Sequence, residues 1–218
     1  MCIAIVKPAG SVISDDRLRE CFKTHDDGAG FAYVRKGNVV ISKGHMTFDD
    51  FYKAYTKQLE RNPNSNFLIH FRTSTSGVTD KENTHPFPIP KGAMIHNGVL
   101  FRPTENSNRS DTHIVSTVIG KFLKCRADWV EKMTELEELI GWDKMACLFN
   151  DGNYVIVNEA KGGWDDNVWY SNRYGYGRTR AQLVKPKGKD VPNNPAWTGA
   201  LSRSNMLTNG YMGSRSIN

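Results

Sequence analysis

The sequence predicts an α+β fold built on antiparallel sheets. Two observations lead there. Apolar, β-branched runs come in pairs joined by turn residues, and the helical patterns gather between those pairs instead of alternating with single strands. A third observation bounds the size. The 218 residues, 39% of them hydrophobic, can fill one sizeable core, or one core plus a tail.

Residues 2–6, Cys-Ile-Ala-Ile-Val, read as a short buried strand closed by Pro8 and Gly10. Ser14 before Asp15 and Asp16 marks a helix start, running through Leu18 and Cys21 to Phe22. Phe31-Ala-Tyr-Val-Arg, the Lys36-Gly37-Asn38 turn and Val39-Val-Ile-Ser make a hairpin. Thr47 caps a helix whose apolar positions Phe48, Phe51, Tyr52, Tyr55 and Leu59 keep helical spacing, and Asn62-Pro63 stops it. Phe67 to Arg72 and Gly92 to His96 read as further strands, with a turn-rich stretch from Thr73 to Pro90 between them. Helices are expected over Asp111 to Lys124 and over Trp129 to Ile140. Met145-Ala-Cys-Leu-Phe, Asn150-Asp-Gly-Asn and Tyr154-Val-Ile-Val form the clearest hairpin. Val168-Trp-Tyr-Ser-Asn is either a last core strand or a docking surface for a partner. The expected division is one domain over 1–184 and a Gly, Asn, Ser and Pro-rich tail over 185–218.

Charge is unevenly spread. Residues 173–218 carry eight basic side chains and one acid, a net of +7, so the other 172 residues sum to −1 within a total of +6. Such a tail suits nucleic acid or an acidic partner, or is a solvated segment that aids solubility. No apolar run approaches the length of a membrane span, and the first ten residues are too short for a signal-peptide core, so a cytoplasmic setting is expected. Cys2, Cys21, Cys125 and Cys147 form no CxxC pair, which removes zinc-ribbon and thioredoxin-like readings. His70, His85, His96 and His113 likewise lack a short-spaced pair, and no metal is expected.

Cys2 stands apart. Methionine removal would put a thiol and the chain's own α-amine on one residue, a nucleophile with a built-in base. Polar clusters follow it in order: Asp27-Gly-Ala-Gly30, His70-Phe-Arg-Thr-Ser-Thr-Ser-Gly77, Asn83-Thr-His-Pro-Phe87, His96-Asn-Gly98 and Ser110-Asp-Thr112. With a cysteine after the initiator, this series resembles the glutaminase domain of class II glutamine amidotransferases over about residues 2–157. Glucosamine-6-phosphate synthase, amidophosphoribosyltransferase and asparagine synthetase carry such domains. The chain looks like the short stand-alone members found in bacteriophages and bacteria.

The resemblance implies a four-layer αββα sandwich of antiparallel sheets, the N-terminal-nucleophile hydrolase fold. It implies that Cys2 attacks the side-chain amide of L-glutamine, with the α-amine shuttling the proton, and that water releases glutamate from the thioester. Asn97 and Gly98 would supply the oxyanion hole. Arg72 would grip the substrate α-carboxylate through a bidentate fork, and Asp111 would accept the α-ammonium. Thr75 would support that carboxylate or its loop, and His85 would lie beside the glutamine. No cofactor is implied. Departures fall at Thr73, where the family usually has tryptophan, at Ser76, and at His113, where an acid often stands. They touch the pocket rim.

No GxxxxGK[ST] loop occurs, and only about 60 residues follow the last hairpin, so a synthase that accepts the ammonia is expected on another polypeptide. Two rival readings remain. One is a different N-terminal-cysteine amidase. The other is a non-catalytic protein that keeps the fold and binds a host protein or nucleic acid.

Overall fold

The computed structural model describes residues 2–74, 77–101 and 108–172. The expected tail and Thr75 lie outside the described residues. What is described is an α+β fold with two antiparallel sheets.

In chain order the elements are β1 (Ile3–Lys7), α1 (Asp15–Lys23), β2 (Ala29–Arg35), β3 (Asn38–His45), α2 (Phe48–Arg61), β4 (Phe67–Phe71), β5 (Phe87–Ile89) and β6 (Gly92–Asn97). Then come α3 (Asp111–Ile119), α4 (Arg126–Glu131), α5 (Met133–Ile140), β7 (Lys144–Phe149), β8 (Tyr154–Val157), β9 (Gly163–Asp165) and β10 (Val168–Tyr170). One sheet has the order β3-β2-β4-β1-β10-β9 and the other β5-β6-β7-β8.

Period-two alternation sorts each strand's side chains between two cores. Ile3 and Ile5, Phe31 and Tyr33, and Phe67, Ile69 and Phe71 pack with Leu18 and Cys21 of α1 and Phe51 and Tyr55 of α2. On the other sheet, Met94, Met145, Cys147, Phe149, Val155 and Val157 pack with Trp129 of α4 and Leu136 and Ile140 of α5. The remaining faces share a third core: Ala4, Val6, Ala32, Leu68 and Trp169 from one sheet, Ala93, Ile95, Ala146, Leu148 and Ile156 from the other. Alanine recurs there, leaving little side chain to hold two backbones apart. Cys2 continues the parity of Ala4 and Val6.

Ser14 and Thr47 cap α1 and α2 as expected, each side chain accepting a backbone N–H of the first turn. At the β2–β3 turn, Lys36 and Gly37 both take positive φ, 51° and 73°, matching the twist of the flanking strands. Val168, Trp169 and Tyr170 are a core strand, all buried, with Trp169 and Tyr170 paired to β1.

Three expectations need correction, and one hairpin was not expected. The helix starting at Asp111 ends at Ile119, where Gly120 sits so close to Pro90 that a Cβ would lie 2.9 Å from the proline ring. The helix expected over Trp129–Ile140 is instead two, starting at Arg126 and interrupted at Lys132, whose ψ of 17° leaves the helical region. The stretch before Pro90 holds β5, an edge strand, where Pro88 forfeits no ladder bond that the sheet needs. A further hairpin, β9–β10, turns on Asp166 and Asn167, both at positive φ. No helix among the described residues is long and apolar enough to cross a membrane.

Candidate active site

Cys2 immediately precedes β1, and only 9% of it is exposed. Its thiol donates to the Thr73 carbonyl and accepts the Thr73 N–H, both at 3.3 Å. Burial pushes the thiol pKa up, opposed by the Thr73 N–H and by the Arg72 guanidinium. A thiol in this state is protonated at neutral pH and needs a base to become a nucleophile.

Cys2, Arg72, Thr73, His85, Gly98 and Asp111 line one cavity of about 20 Å³, completed by His96, Ser110 and Thr112. Four of the positions predicted as binding or catalytic partners of Cys2 therefore share its cavity: Arg72, His85, Gly98 and Asp111. Asn97 does not lie on that wall. Its carboxamide is buried, Nδ2 donating 2.8 Å to Ser171 Oγ while Oδ1 has no partner.

Arg72 follows β4 and is 3% exposed. Its guanidinium donates to the Val78 carbonyl at 3.0 Å and to Ser74 Oγ at 3.1 Å. Asp27 holds the loop behind it, donating its N–H to the Arg72 carbonyl at 3.0 Å and accepting the Ser74 N–H on Oδ2 at 2.7 Å. The glycines beside Asp27 have a steric reason. A Cβ at Gly30 would overlap the His85 carbonyl oxygen, and one at Gly28 (φ +119°) would stand 2.6 Å from Thr84 Cγ2. The two glycines let the Asn83-Thr-His-Pro loop lie directly on β2.

Asp111 opens α3, behind the cap Ser110. Its Oδ2 accepts the Leu100 N–H and its Oδ1 the Thr112 N–H, both at 2.7 Å, so both oxygens are held at the N-terminus of the helix. Asn83 stitches this region, accepting from Ser110 N at 2.7 Å and donating to the Asn108 carbonyl at 2.7 Å.

Behind the cavity lies a histidine pair. His70 Nε2 is 2.9 Å from the His96 carbonyl and 2.6 Å from His85 Nδ1. A carbonyl can only accept, so Nε2 carries the proton and shares it between the two. His85 Nδ1 is then the acceptor, and its Nε2–H is a buried donor without a partner. Burial drives His70 down to about 3 and His85 well below the usual histidine value, so both are neutral. Among the described residues, no three His, Cys, Asp or Glu side chains are placed to share a metal ion. His113 stacks on Phe87 at 4.8 Å.

Three residues important to this geometry are not among the predicted site residues, although Ser171 and Asn172 lie in the stretch expected as a last strand or docking surface. Asp143, just before β7, presses its carboxylate on Gly98, where φ is +151° and a Cβ would collide with it; its Oδ2 is also 3.3 Å from His96 Nε2. Ser171 and Asn172, just after β10, bond to Ala4 and Cys2. The one available sign was a polar pair directly after a buried aromatic strand.

No protein-family model matches the chain. Over 197 residues, 83% of this chain, it is 20% identical to the uncharacterized protein MJ1515 of Methanocaldococcus jannaschii. The match covers 56% of that protein, so the chain spans about half the length of this relative.

Proposed function

We propose that the chain is a glutaminase of the class II glutamine amidotransferase type, with Cys2 as its N-terminal nucleophile and L-glutamine as its substrate. The observation that carries this reading is the shared cavity of Cys2, Arg72, Gly98 and Asp111, residues spread over 110 positions that converge on one thiol. Two antiparallel sheets sharing an alanine-rich core, with helices packed on their outer faces, support the αββα sandwich of N-terminal-nucleophile hydrolases.

With Met1 removed, the α-amine of Cys2 takes the thiol proton as sulfur attacks the δ-carbonyl carbon of glutamine. The tetrahedral oxyanion is met by the Gly98 N–H on the cavity wall and by the Asn97 amide once it turns toward the cavity from its place on Ser171, donors of a kind whose loss raises a barrier by about 3–4 kcal/mol. The amine returns the proton to the departing ammonia, and water cleaves the γ-glutamyl thioester. Arg72 and Asp111, charged and buried on the same wall, receive the α-carboxylate and α-ammonium. The ammonia passes to an acceptor enzyme on another chain.

The test is glutamate and ammonia release from L-glutamine by the methionine-processed protein, with Cys2→Ala as control. Intact mass before and after a diazo-ketone glutamine analogue reports methionine loss and Cys2 labelling together. A protein that retains Met1 yet turns over, or whose Cys2→Ala variant still does, refutes the reading. Activity on acyl-amides but not on glutamine would favour the other N-terminal-cysteine amidase.

A further inference from the structure

Strand β10 ends in a polar pair that the proposed chemistry does not use. Ser171 is 0% exposed and Asn172 8%. Ser171 continues the β1–β10 pairing, donating its N–H to the Ala4 carbonyl at 2.8 Å. The return bond comes from Ala4 N–H to Ser171 Oγ at 2.9 Å. The same oxygen accepts Asn97 Nδ2 at 2.8 Å. One residue further, Asn172 Nδ2 donates to the carbonyl of Cys2. Two adjacent side chains thus hold the residue bearing the thiol, the strand that follows it, and the amide at the predicted oxyanion turn.

Resting on the glutaminase reading, we propose that Ser171 and Asn172 are positioning residues, Ser171 acting through Asn97 and Asn172 acting through Cys2. With the Ala4 and Asn97 N–H groups on it, the Ser171 oxygen has both lone pairs engaged and its proton left to donate. The other end of the same amide, Asn97 Oδ1, is a buried acceptor that lacks a partner. Rotating the Asn97 amide by half a turn would let Ser171 O–H donate to Oδ1 and free both N–H groups. In one orientation a single Asn97 N–H remains for an oxyanion, and in the other both do. Ser171 sets the plane of that amide in either case. Asn172, by fixing the Cys2 carbonyl, limits rotation of the residue whose sulfur and nitrogen must both face the substrate amide.

The experiment is a double-mutant cycle of Ser171→Ala with Asn97→Ala, read as kcat and KM for glutamine. It is paired with the iodoacetamide alkylation rate of Cys2 in Asn172→Ala, followed by peptide mass spectrometry without glutamine. Ser171→Ala is expected to lower kcat by about tenfold or more with KM within about twofold, and to have a clearly smaller effect once Asn97 is alanine, the remainder coming from the lost Ala4 contact. Asn172→Ala is expected to change the alkylation rate at least threefold. Should Ser171→Ala not fold, Ser171→Cys keeps the size, weakens the acceptor and carries the same cycle. An active wild type with additive Ser171 and Asn97 effects, or an unchanged alkylation rate in Asn172→Ala, overturns the inference. The alkylation arm needs no turnover. A wild type inert toward glutamine whose Cys2 still responds to Asn172→Ala would instead refute the glutaminase reading and leave the Asn172 contact standing.

Discussion

Lowering the pH from about 7.5 to about 5.5 should destabilise the fold through His70 and His85. Both are buried and neutral, sharing one proton between Nε2 and Nδ1, with the His96 carbonyl as the only other acceptor of that hydrogen bond. The charged groups that bear on them, Arg72 on both and Lys43 on His85, are cationic and push their pKa values further down. The folded-state values lie below the ordinary value of about 6.5, so below that pH the unfolded chain binds protons the folded chain refuses. Their contribution is therefore complete above about pH 6.5 and is lost as the pH falls toward the His70 value of about 3. Each such group removes about 1.4 kcal/mol by pH 5.5, together about 3 kcal/mol against a typical total of 5–15. Urea unfolding at the two pH values measures this. The double variant His70→Gln/His85→Asn, which keeps neutral donors and acceptors in place, should show a pH effect smaller by about the same amount. His45 and His113, whose pKa values are also lowered by burial, contribute equally to both proteins. Equal acid sensitivity in the wild type and the double variant would refute the assignment.

Three further outcomes are expected. If Arg72 holds the glutamine α-carboxylate as proposed, Arg72→Lys should raise the glutamine KM by tenfold or more with little change in kcat, because a fork in that role would bind ground and transition states alike; steady-state kinetics decide, and an equal fall in kcat and kcat/KM would contradict the role. Gly98→Ala should destabilise by more than about 2 kcal/mol, since it combines positive φ with a collision on Asp143, and Asp143→Ala should restore part of that in thermal melts of the double variant. In the variant that keeps Met1, Cys2 alkylation should rise with pH through a midpoint above that of free cysteine, about 8.5; a midpoint at or below that value would show that burial does not govern the thiol.

Local rules reached most of the elements. Ser14 and Thr47 announce their helices because a cap satisfies the same N–H groups wherever it occurs, and Lys36-Gly37 announces its hairpin because the turn's positive φ values restrict the residues that suit it. The same rules failed where tertiary context decides. Pro88 disguises a strand because a sequence does not say which strand will be an edge. Asp166-Asn167 makes a tight turn without the glycine that usually marks one. The break at Lys132 has no proline or glycine to signal it. The site divides similarly. Cys2, Arg72, His85, Gly98 and Asp111 were singled out by the order of their motifs, whereas nothing local connects Ser171 to Ala4, 167 residues away. Asn97 shows the limit of motif reasoning from the other side: the residue was singled out, but its side chain bonds to Ser171 and is absent from the cavity wall.

The two halves of the proposed chemistry make opposite demands on the start of the chain. A nucleophile that borrows its own α-amine must sit at a terminus, and termini are where chains fray. A thiol buried enough to be protonated must also meet that amine in one geometry, since a general base acts only within hydrogen-bond reach. The fold meets both demands by enclosing β1 between β4 and β10 and by continuing each neighbour one or two residues past its last ladder pair. From β4 come the Thr73 N–H and carbonyl that bracket the sulfur. From β10 come the Ser171 hydroxyl and the Asn172 amide that hold the Ala4 nitrogen and the Cys2 carbonyl. Sulfur and backbone are thus held from opposite sides of one strand, so loosening either side should disturb the alignment of thiol and amine before it disturbs the fold.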